Sequence, residues 1–214
     1  MKIYCVGYRS WALKIYKILQ KKTKHKFKIQ STKKNISIKE IKKFKPKYIL
    51  FYGWSDKVPS YLIKNFFCIM LHPSPLPKFR GGSPIQNQII RNIKSSKVTL
   101  FKMDEKFDSG PIMLSHKLSL DGHMADIFNR LTEIGINLTI KVLKNKYKLK
   151  SQNHKIATYY KRRKPSQSYI SINELKNKNS NYIFNKIRML EDPYPNAYIK
   201  TKDGKKIKIK YAEL

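Results

Sequence analysis

The sequence predicts an α/β fold, in which helices flank a mostly parallel sheet and a short helix and a β-hairpin follow at the C-terminus. Strand-length apolar runs alternate with helical segments through the first 148 of the 214 residues, which is the pattern of a parallel sheet with crossover helices. Two of these runs, residues 47–52 and 66–71, are apolar almost throughout. Such runs are typical of strands that are covered on both faces.

The first half of the chain supplies four strands and the helices between them. The first strand ends in a glycine turn, and Ser10 then caps a helix. Pro46 stops a short helix just before the third strand. The predicted order is strand 2–7, a helix from residue 10, strand 26–30, helix 37–44, strand 47–52, helix 58–65 and strand 66–71.

The second half continues this pattern and then changes character after residue 148. Residues 149–168 are polar and basic, which predicts a linker over the surface, and Asp203-Gly204 is a strong hairpin turn signal. We therefore divide the chain into residues 1–148 and an extension, residues 149–214, of linker, helix and truncated β structure. The remaining predicted elements are a helix with Pro84 in its first turn, strands 98–103 and 112–120, a long helix 125–144 and a helix around 171–190.

Composition favours a globular cytoplasmic protein. Hydrophobic residues make up 41% of the chain, which is enough for a buried core and too many for general disorder. No apolar run reaches the ~18–20 residues of a membrane span, and residues 1–7 lack a signal-peptide layout, so we expect no membrane partner. Cys5 and Cys68 lie in apolar runs and are expected to be buried free thiols, and no metal-binding spacing is present.

The net charge of +34 leaves two interpretations open. Clustered lysines and arginines that neutralise phosphates would indicate a nucleic acid or another polyanion as partner. Alternatively, lysine is enriched together with isoleucine and asparagine, and the surface is simply basic. Lysines run from residue 2 to residue 210 without forming one stripe, which favours the second interpretation and argues against a specific nucleic acid. In either case, a phosphate-bearing ligand is attracted.

Residues with catalytic potential follow the apolar run at 66–71. From His72 the chain reads His-Pro-Ser-Pro-Leu-Pro-Lys-Phe-Arg-Gly-Gly-Ser-Pro. The prolines fix the shape of this loop, so His72 would be held still at the carboxyl end of a strand, where ligands bind in parallel sheets. Gly81, Gly82 and Ser83 then open a helix and offer unpaired N–H groups to an anion. Taken alone, His72 is equally well explained as a hydrogen-bonded histidine of a rigid loop.

A second loop, residues 104–110, follows the next strand and contains Asp108. Taken alone, its Asp-Ser-Gly is most often a simple turn. Because the loop ends a neighbouring strand, however, we expect it at the same edge of the sheet as His72. A carboxylate there can orient an imidazole and raise its basicity. We therefore predict that His72 and Asp108 act as a pair.

Three segments together resemble the 10-formyltetrahydrofolate-dependent formyltransferases. They are the loop 72–84 with the following Ile-Gln, the strand Val-Thr-Leu-Phe-Lys-Met-Asp at 98–104, and Phe-Asp-Ser-Gly-Pro-Ile at 107–112. The resemblance is strong over residues 45–145 and is closest to the sugar N-formyltransferases. It implies that residues 1–148 form a Rossmann-like catalytic domain and that 10-formyltetrahydrofolate is the cofactor.

The resemblance also implies roles for individual residues. His72 matches the family's catalytic histidine and Asp108 its catalytic aspartate. A neutral amine would attack the formyl carbon directly, with His72 stabilising the oxyanion and Asp108 orienting His72 and helping to remove the proton. No metal is required. The residues implied for the folate are Trp54, Ser55, Asp56, Lys57, Asp104, Glu105, Lys106, Phe107 and Asp108, and those implied for the acceptor substrate are Arg80, Gly81, Gly82 and Ser83.

One position departs from the family pattern. Two residues before the histidine the family has a catalytic asparagine, whose amide donates a hydrogen bond to the formyl oxygen, and this chain has Met70 there. Methionine has no such donor, and the loss of one typically costs about 10²–10³ in rate. Met70 therefore implies either a differently built site or a weakened enzyme.

The C-terminal part narrows the expected substrate. Residues 159–165 (Tyr-Tyr-Lys-Arg-Arg-Lys-Pro) and 186–197 resemble the 4-amino-4-deoxy-arabinose formyltransferases, which implies a nucleotide-linked amino sugar as acceptor, as in lipopolysaccharide biosynthesis. Glycinamide ribonucleotide enzymes lack this segment, and methionyl-tRNA formyltransferases continue into a full C-terminal barrel. These two activities, and a non-catalytic folate- or sugar-nucleotide-binding protein, remain alternatives. The hairpin is expected to offer a surface for a homodimer.

Overall fold

A six-stranded sheet forms the centre of the protein, in a computed structural model that describes residues 1–33 and 35–214. From one edge to the other, its strands are β2 (Lys26–Gln30), β1 (Lys2–Val6), β3 (Tyr48–Tyr52), β4 (Cys68–His72), β6 (Ser95–Lys102) and β7 (Ile112–Ser119). Two small pairs lie outside the sheet: β5 (Arg80–Gly81) with β8 (Tyr159–Tyr160), and β9 (Ala197–Lys200) with β10 (Lys206–Ile209), the predicted hairpin.

Local signals in the sequence account for several helix ends. Ser37 and Asn179 each accept a backbone N–H at the start of a helix, and Pro84 opens another. The predicted α/β class is confirmed, because the helices and strands alternate as expected. The helices are α1 (Ser10–Lys22), α2 (Ile38–Phe44), α3 (Ser60–Asn65), α4 (Pro84–Ile89), α5 (Met124–Leu143), α6 (Ile172–Asn177) and α7 (Ser180–Arg188), with short 3₁₀ helices at His154–Ile156 and Pro165–Ser168.

The sheet is parallel from β2 to β4, and it ends in two antiparallel pairings. β6 runs antiparallel to β4 and to β7, and Ile69 of β4 pairs with Lys102 of β6. The loop after β6 therefore leaves the sheet beside the start of β4, at the end opposite His72. The expectation that both loops leave the same edge is wrong. An apolar run has no direction of its own, and the short α4 returns the chain antiparallel.

Apolar clusters cover both faces of the sheet. On one face, Ile15 of α1 and Leu131 of α5 are fully buried in one cluster, and on the other face Ile41 of α2 and Leu62 of α3 are fully buried in a second. Each cluster also contains one of the two cysteines. Burial raises the pKa of the Cys68 thiol to about 12, which leaves it protonated and unreactive.

The C-terminal residues are more closely packed than a surface linker would be. Gln152 and Ser168 are buried, and β8 pairs with β5 next to the loop of His72. The single helix predicted around 171–190 is two helices, because Asn179 caps a new one. Ile187 and Met189 join the cluster on the α1–α5 face, while the domain boundary at residue 148 stays a prediction. In the described residues, no helix is both long and apolar enough to cross a bilayer.

Candidate active site

A cavity of about 640 Å³ opens where β1, β3 and β4 end. This volume is in the range of small-molecule sites, about 300–1,000 Å³. Ile63 and Met103 in its wall belong to the cluster on the α2–α3 face, whereas Ile85 and Phe128 belong to the cluster on the α1–α5 face. The cavity therefore crosses the end of the sheet from one face to the other.

His72, the last residue of β4, lies in the wall of this cavity and is only 5% exposed. Its Nε2 is 2.8 Å from the carbonyl oxygen of Phe79. Because a carbonyl oxygen can only accept, Nε2 carries the hydrogen of the neutral ring. Nδ1 is then the nitrogen without a hydrogen, and it lies 3.7 Å from Oδ2 of Asp108.

Asp108 reaches His72 because its loop turns back across the α2–α3 face of the sheet. Glu105 in the same loop pairs with Lys64 of α3 at 3.3 Å, and Asp108 Oδ2 accepts the backbone N–H of Gly81 at 2.8 Å. The 3.7 Å between Asp108 Oδ2 and His72 Nδ1 is too long for a hydrogen bond. Two acceptor atoms thus face each other, and a proton on Nδ1 or a donor between them would satisfy both.

The backbone of the site adopts the left-handed conformation at three non-glycine residues. Phe79, Ser83 and Asp108 have φ angles of 59°, 50° and 50°, a region that costs such residues about 1–2 kcal/mol each. Backbone outliers of this kind concentrate at functional sites. Here they direct the Phe79 carbonyl to the ring of His72 and the Asp108 side chain toward the same ring.

Arg80 lies outside the lining of the cavity, and its guanidinium is hydrogen-bonded to other side chains. Its Nη2 donates to Oε1 of Gln152 at 2.6 Å, and its Nη1 donates to the hydroxyl of Tyr159 at 2.6 Å. Nε2 of Gln152 donates in turn to the carbonyl oxygens of Asp108, at 2.9 Å, and Gly110, at 2.7 Å. The expected substrate contact of Arg80 finds no support in this arrangement, which instead ties Arg80 to the Asp108 loop through Gln152.

Gln152 is therefore expected to position Asp108. The variant Gln152→Glu keeps the acceptor of this side chain and removes its donor. The carboxylate still accepts from Arg80 but faces the Asp108 and Gly110 carbonyls without a donor, at a cost of about 1–3 kcal/mol. We expect turnover to fall about tenfold or more, with folate affinity changed less. Steady-state kinetics alongside the exposed control Gln20→Leu measure this. Parental turnover in a folded Gln152→Glu variant would remove the positioning role.

Met70 lies on the same face of β4 as His72, two residues earlier, and also lines the cavity. Its partners in the sheet are Phe51 of β3 and Phe101 of β6. Aromatic neighbours suit a thioether, but the side chain has no hydrogen-bond donor to offer. Met70 thus occupies the place that the resemblance implies for the asparagine.

The residues expected to hold the folate share one property, which is that all of them line the cavity. Trp54 adds a further feature, because its Nε1 is buried and has no hydrogen-bond partner among the described residues. Asp104 is held in place by the Ser109 hydroxyl, 2.6 Å from its Oδ1. The lining residues among the predicted ones are Trp54, Ser55, Asp56, Lys57, Asp104, Glu105, Lys106, Phe107 and Asp108, together with Gly81, Gly82 and Ser83 from the acceptor set.

The sequence prediction did not include the residues that the C-terminal part contributes to the cavity. Arg162, Arg163 and Tyr194 line it, as does Arg9 from the other end of the chain. Nη2 of Arg162 donates to the carbonyl oxygen of Ser55 at 2.7 Å, so this segment contacts the loop after β3. The basic run at 161–164 is the signal in the sequence that points to them, but its polar composition is equally typical of a surface linker.

Comparison with known proteins places this geometry in context. A methionyl-tRNA formyltransferase from Sulfurimonas denitrificans is 31% identical over 167 residues, which are 76% of this chain and 53% of that protein. The chain spans about half the length of the curated relatives it matches.

Solved structures share the fold over almost the whole chain. A methionyl-tRNA formyltransferase from Clostridium thermocellum has a TM-score of 0.86 and 33% identity, covering 98% of this chain and 97% of that one. A 4-N formyltransferase from Francisella tularensis has a TM-score of 0.78 at 19% identity, covering 98% and 96% of the two chains, which shows the same fold. The family profile described as formyl transferase matches residues 11–143, well over half of the sequence. This protein therefore belongs to the formyl transferase family.

Proposed function

We propose that this protein transfers a formyl group from 10-formyltetrahydrofolate to an amine, with His72 and Asp108 as its catalytic pair. The observation that carries the proposal is the buried pair in the wall of the cavity, with His72 Nδ1 facing Asp108 Oδ2 at 3.7 Å. Membership of the formyl transferase family supports the same chemistry. The cavity extends to both sides of this pair, which suits a reaction between two bound molecules.

The α2–α3 side of the cavity fits the folate. A folate joins a flat ring with polar edges to an aromatic linker and a carboxylate tail. Trp54 Nε1 is a buried donor that lacks a partner among the described residues, so it suits a polar ring edge. Ile63 and Met103 provide apolar surface, and Lys57 and Lys106 at the exposed loops offer charge for carboxylates.

Bound on that side, 10-formyltetrahydrofolate supplies the formyl carbon that the acceptor amine attacks. His72 Nδ1 carries no hydrogen in the neutral ring and accepts the proton from the amine side. Asp108 then stabilises the positive imidazole, and Nδ1–H is the donor that His72 offers to the oxygen that gains negative charge. The same proton would pass from Nδ1 to N10 of the folate as the bond between N10 and the formyl carbon breaks, which would release tetrahydrofolate and return His72 to its neutral form. The bond from Nε2 to the Phe79 carbonyl keeps the ring oriented throughout. Burial of the pair strengthens each of these interactions.

For the acceptor we propose the amine of a nucleotide-linked amino sugar. The α1–α5 side of the cavity is lined by Pro193, Tyr194 and Pro195, and the ring of Tyr194 packs against Phe128 at 6.0 Å between centroids. Arg9 stands over the same tyrosine, with its guanidinium carbon 5.8 Å from the ring centroid. A positively charged end with an aromatic wall suits a small phosphate-bearing molecule.

Methionyl-tRNA is the second candidate acceptor. The curated relatives and the Clostridium thermocellum protein are named for that activity. The net charge of +34 would also suit the many phosphates of a tRNA.

An acceptor screen distinguishes these proposals. The protein is incubated with 10-formyltetrahydrofolate and, separately, with amino-sugar nucleotides that differ in the position of the amine, methionyl-tRNA and glycinamide ribonucleotide. We expect mass spectrometry to detect N-formylation of an amino-sugar nucleotide, and the His72→Ala variant to form this product at least about 10²-fold more slowly. Formylation of methionyl-tRNA alone would overturn the sugar proposal and leave formyl transfer standing. No product from any amine, with folate bound, would contradict both.

A further inference from the structure

A second groove, of about 490 Å³, lies beside the cavity. One side is formed by residues at the end of α4 and just after it, including Arg91, and another by Tyr182 of α7. Arg162 and Arg163 line both the groove and the cavity. The two spaces therefore share part of one wall.

Positive charge is concentrated in this groove. Four cations, Arg91, Lys161, Arg162 and Arg163, line it, and its lining includes no carboxylate. In residues 1–33 and 35–214, none of the four forms an ion pair, and the nearby Glu174 is engaged by Lys186 at 2.6 Å. Like charges held together in this way repel each other until an anion lies between them.

Arg163 carries an unpaired donor beside the groove, although its Nη2 donates to the carbonyl oxygen of Gln167 at 3.1 Å. Its Nε is buried and lacks a hydrogen-bond partner in the described chain, a condition that costs about 1–3 kcal/mol. Burial lowers the pKa of Arg163, and the positive charge of Arg91 lowers it further, against opposite effects from Tyr182 and Glu174. An anion with acceptor oxygens would relieve both the unpaired donor and the repulsion.

Arg91 is held ready for such an anion. Its guanidinium lies over the ring of Tyr160, 4.3 Å from the centroid, and Nη1 donates to the Asn87 carbonyl at 2.8 Å. The ring of Tyr160 also stacks on Phe79 at 4.8 Å between centroids, and Phe79 is the residue whose carbonyl oxygen is hydrogen-bonded to His72. Arg91 thus loses little freedom on binding, and its stack ends at the residue whose backbone carbonyl is hydrogen-bonded to His72.

We propose that this groove binds the diphosphate of the nucleotide that carries the acceptor amine, with Arg91 and Arg163 as its main ligands. This inference rests on the proposed function. The cavity would hold the amino sugar of the acceptor, and the groove would hold its diphosphate. Guanidinium groups match phosphate oxygens with paired hydrogen bonds. Arg162, on the shared wall, lies where the carrier passes from the groove into the cavity.

The test measures the binding of inorganic pyrophosphate and of uridine diphosphate to the full chain by calorimetry. Arg91→Gln is compared with Lys117→Gln, which removes one exposed charge that lines neither space. We expect Arg91→Gln to weaken pyrophosphate binding about tenfold or more, and Lys117→Gln to leave it unchanged. With an amino-sugar acceptor, Arg91→Gln raises KM by a similar factor while kcat changes less. Folate binding, followed by tryptophan fluorescence, stays at the parental level.

The outcomes separate this inference from the proposed function. Specific pyrophosphate binding without formylation of any amine would support the groove and count against the proposed function. Formylation with a parental acceptor KM in Arg91→Gln would overturn the groove and leave the function standing. If Arg91→Gln and Lys117→Gln lose pyrophosphate binding equally, the binding is general charge attraction and the proposed groove is overturned. Binding of an oligoribonucleotide that pyrophosphate does not displace would also overturn it.

Discussion

Replacing His72 or Asp108 by alanine is expected to lower the rate of formyl transfer by about 10²–10⁴-fold, the range that a positioned acid or base supplies. His72 Nδ1 is the ring nitrogen free to exchange a proton, because Nε2–H is committed to the Phe79 carbonyl. Asp108 lies 3.7 Å from Nδ1 and is the carboxylate that stabilises its positive form. Single-turnover rates with saturating folate and acceptor measure the effect.

Two controls keep this test specific to the reaction. His116→Ala removes an exposed histidine on β7 and should keep the parental rate. Both tryptophans of the chain, Trp11 and Trp54, line the cavity, so their fluorescence should still respond to folate in the His72→Ala and Asp108→Ala variants. A near-parental rate in either variant, with its circular dichroism unchanged, would remove that residue from the mechanism.

Much of the fold follows from residue patterns whose physical cause is local. Apolar runs such as 47–52 mark strands buried on both faces, and Pro84 and Ser37 mark helix starts. The direction of β6 could not be predicted in this way, because antiparallel and parallel strands bury the same side chains. His72 and Asp108 still meet, but only because the loop 103–111 turns back over the sheet.

The candidate site was predictable where short sequence motifs identify its residues, and not where a role depends on contacts between distant parts of the chain. Motif residues such as His72 and Asp108 stand out because the resemblance identifies them by spacing. Gln152 does not, because its importance comes from hydrogen bonds to Arg80 and to the Asp108 carbonyl, which lie far away in sequence. The buried Nε of Arg163 could not be predicted either, because this residue lies in a basic run whose composition is typical of an exposed surface.

Met70→Asn is expected to raise turnover by about tenfold or more and to leave folate affinity unchanged. Met70 is on the cavity face of β4, two residues before His72, and offers no donor to an oxygen that gains charge. One well-placed amide donor is worth about 10²–10³ in rate. Because residue 70 pairs with Phe51 and Phe101 in the sheet, the asparagine side chain has apolar neighbours, and we expect only part of that gain. The parent should show weak but measurable activity in the same assay.

Met70→Leu is the matched control, because leucine keeps the apolar volume and adds no donor. We expect Met70→Leu to fold, because volume-conserving apolar exchanges usually cost less than about 1.5 kcal/mol in stability, and to keep the turnover of the parent, because it neither adds nor removes a donor. If asparagine lowers turnover in a folded protein while leucine does not, the site has been rebuilt around an apolar side chain, and His72 Nδ1–H with a backbone N–H or water must hold the oxygen instead. If the parent and both variants are all inactive on every amine while folate still binds, a binding role replaces catalysis at this site.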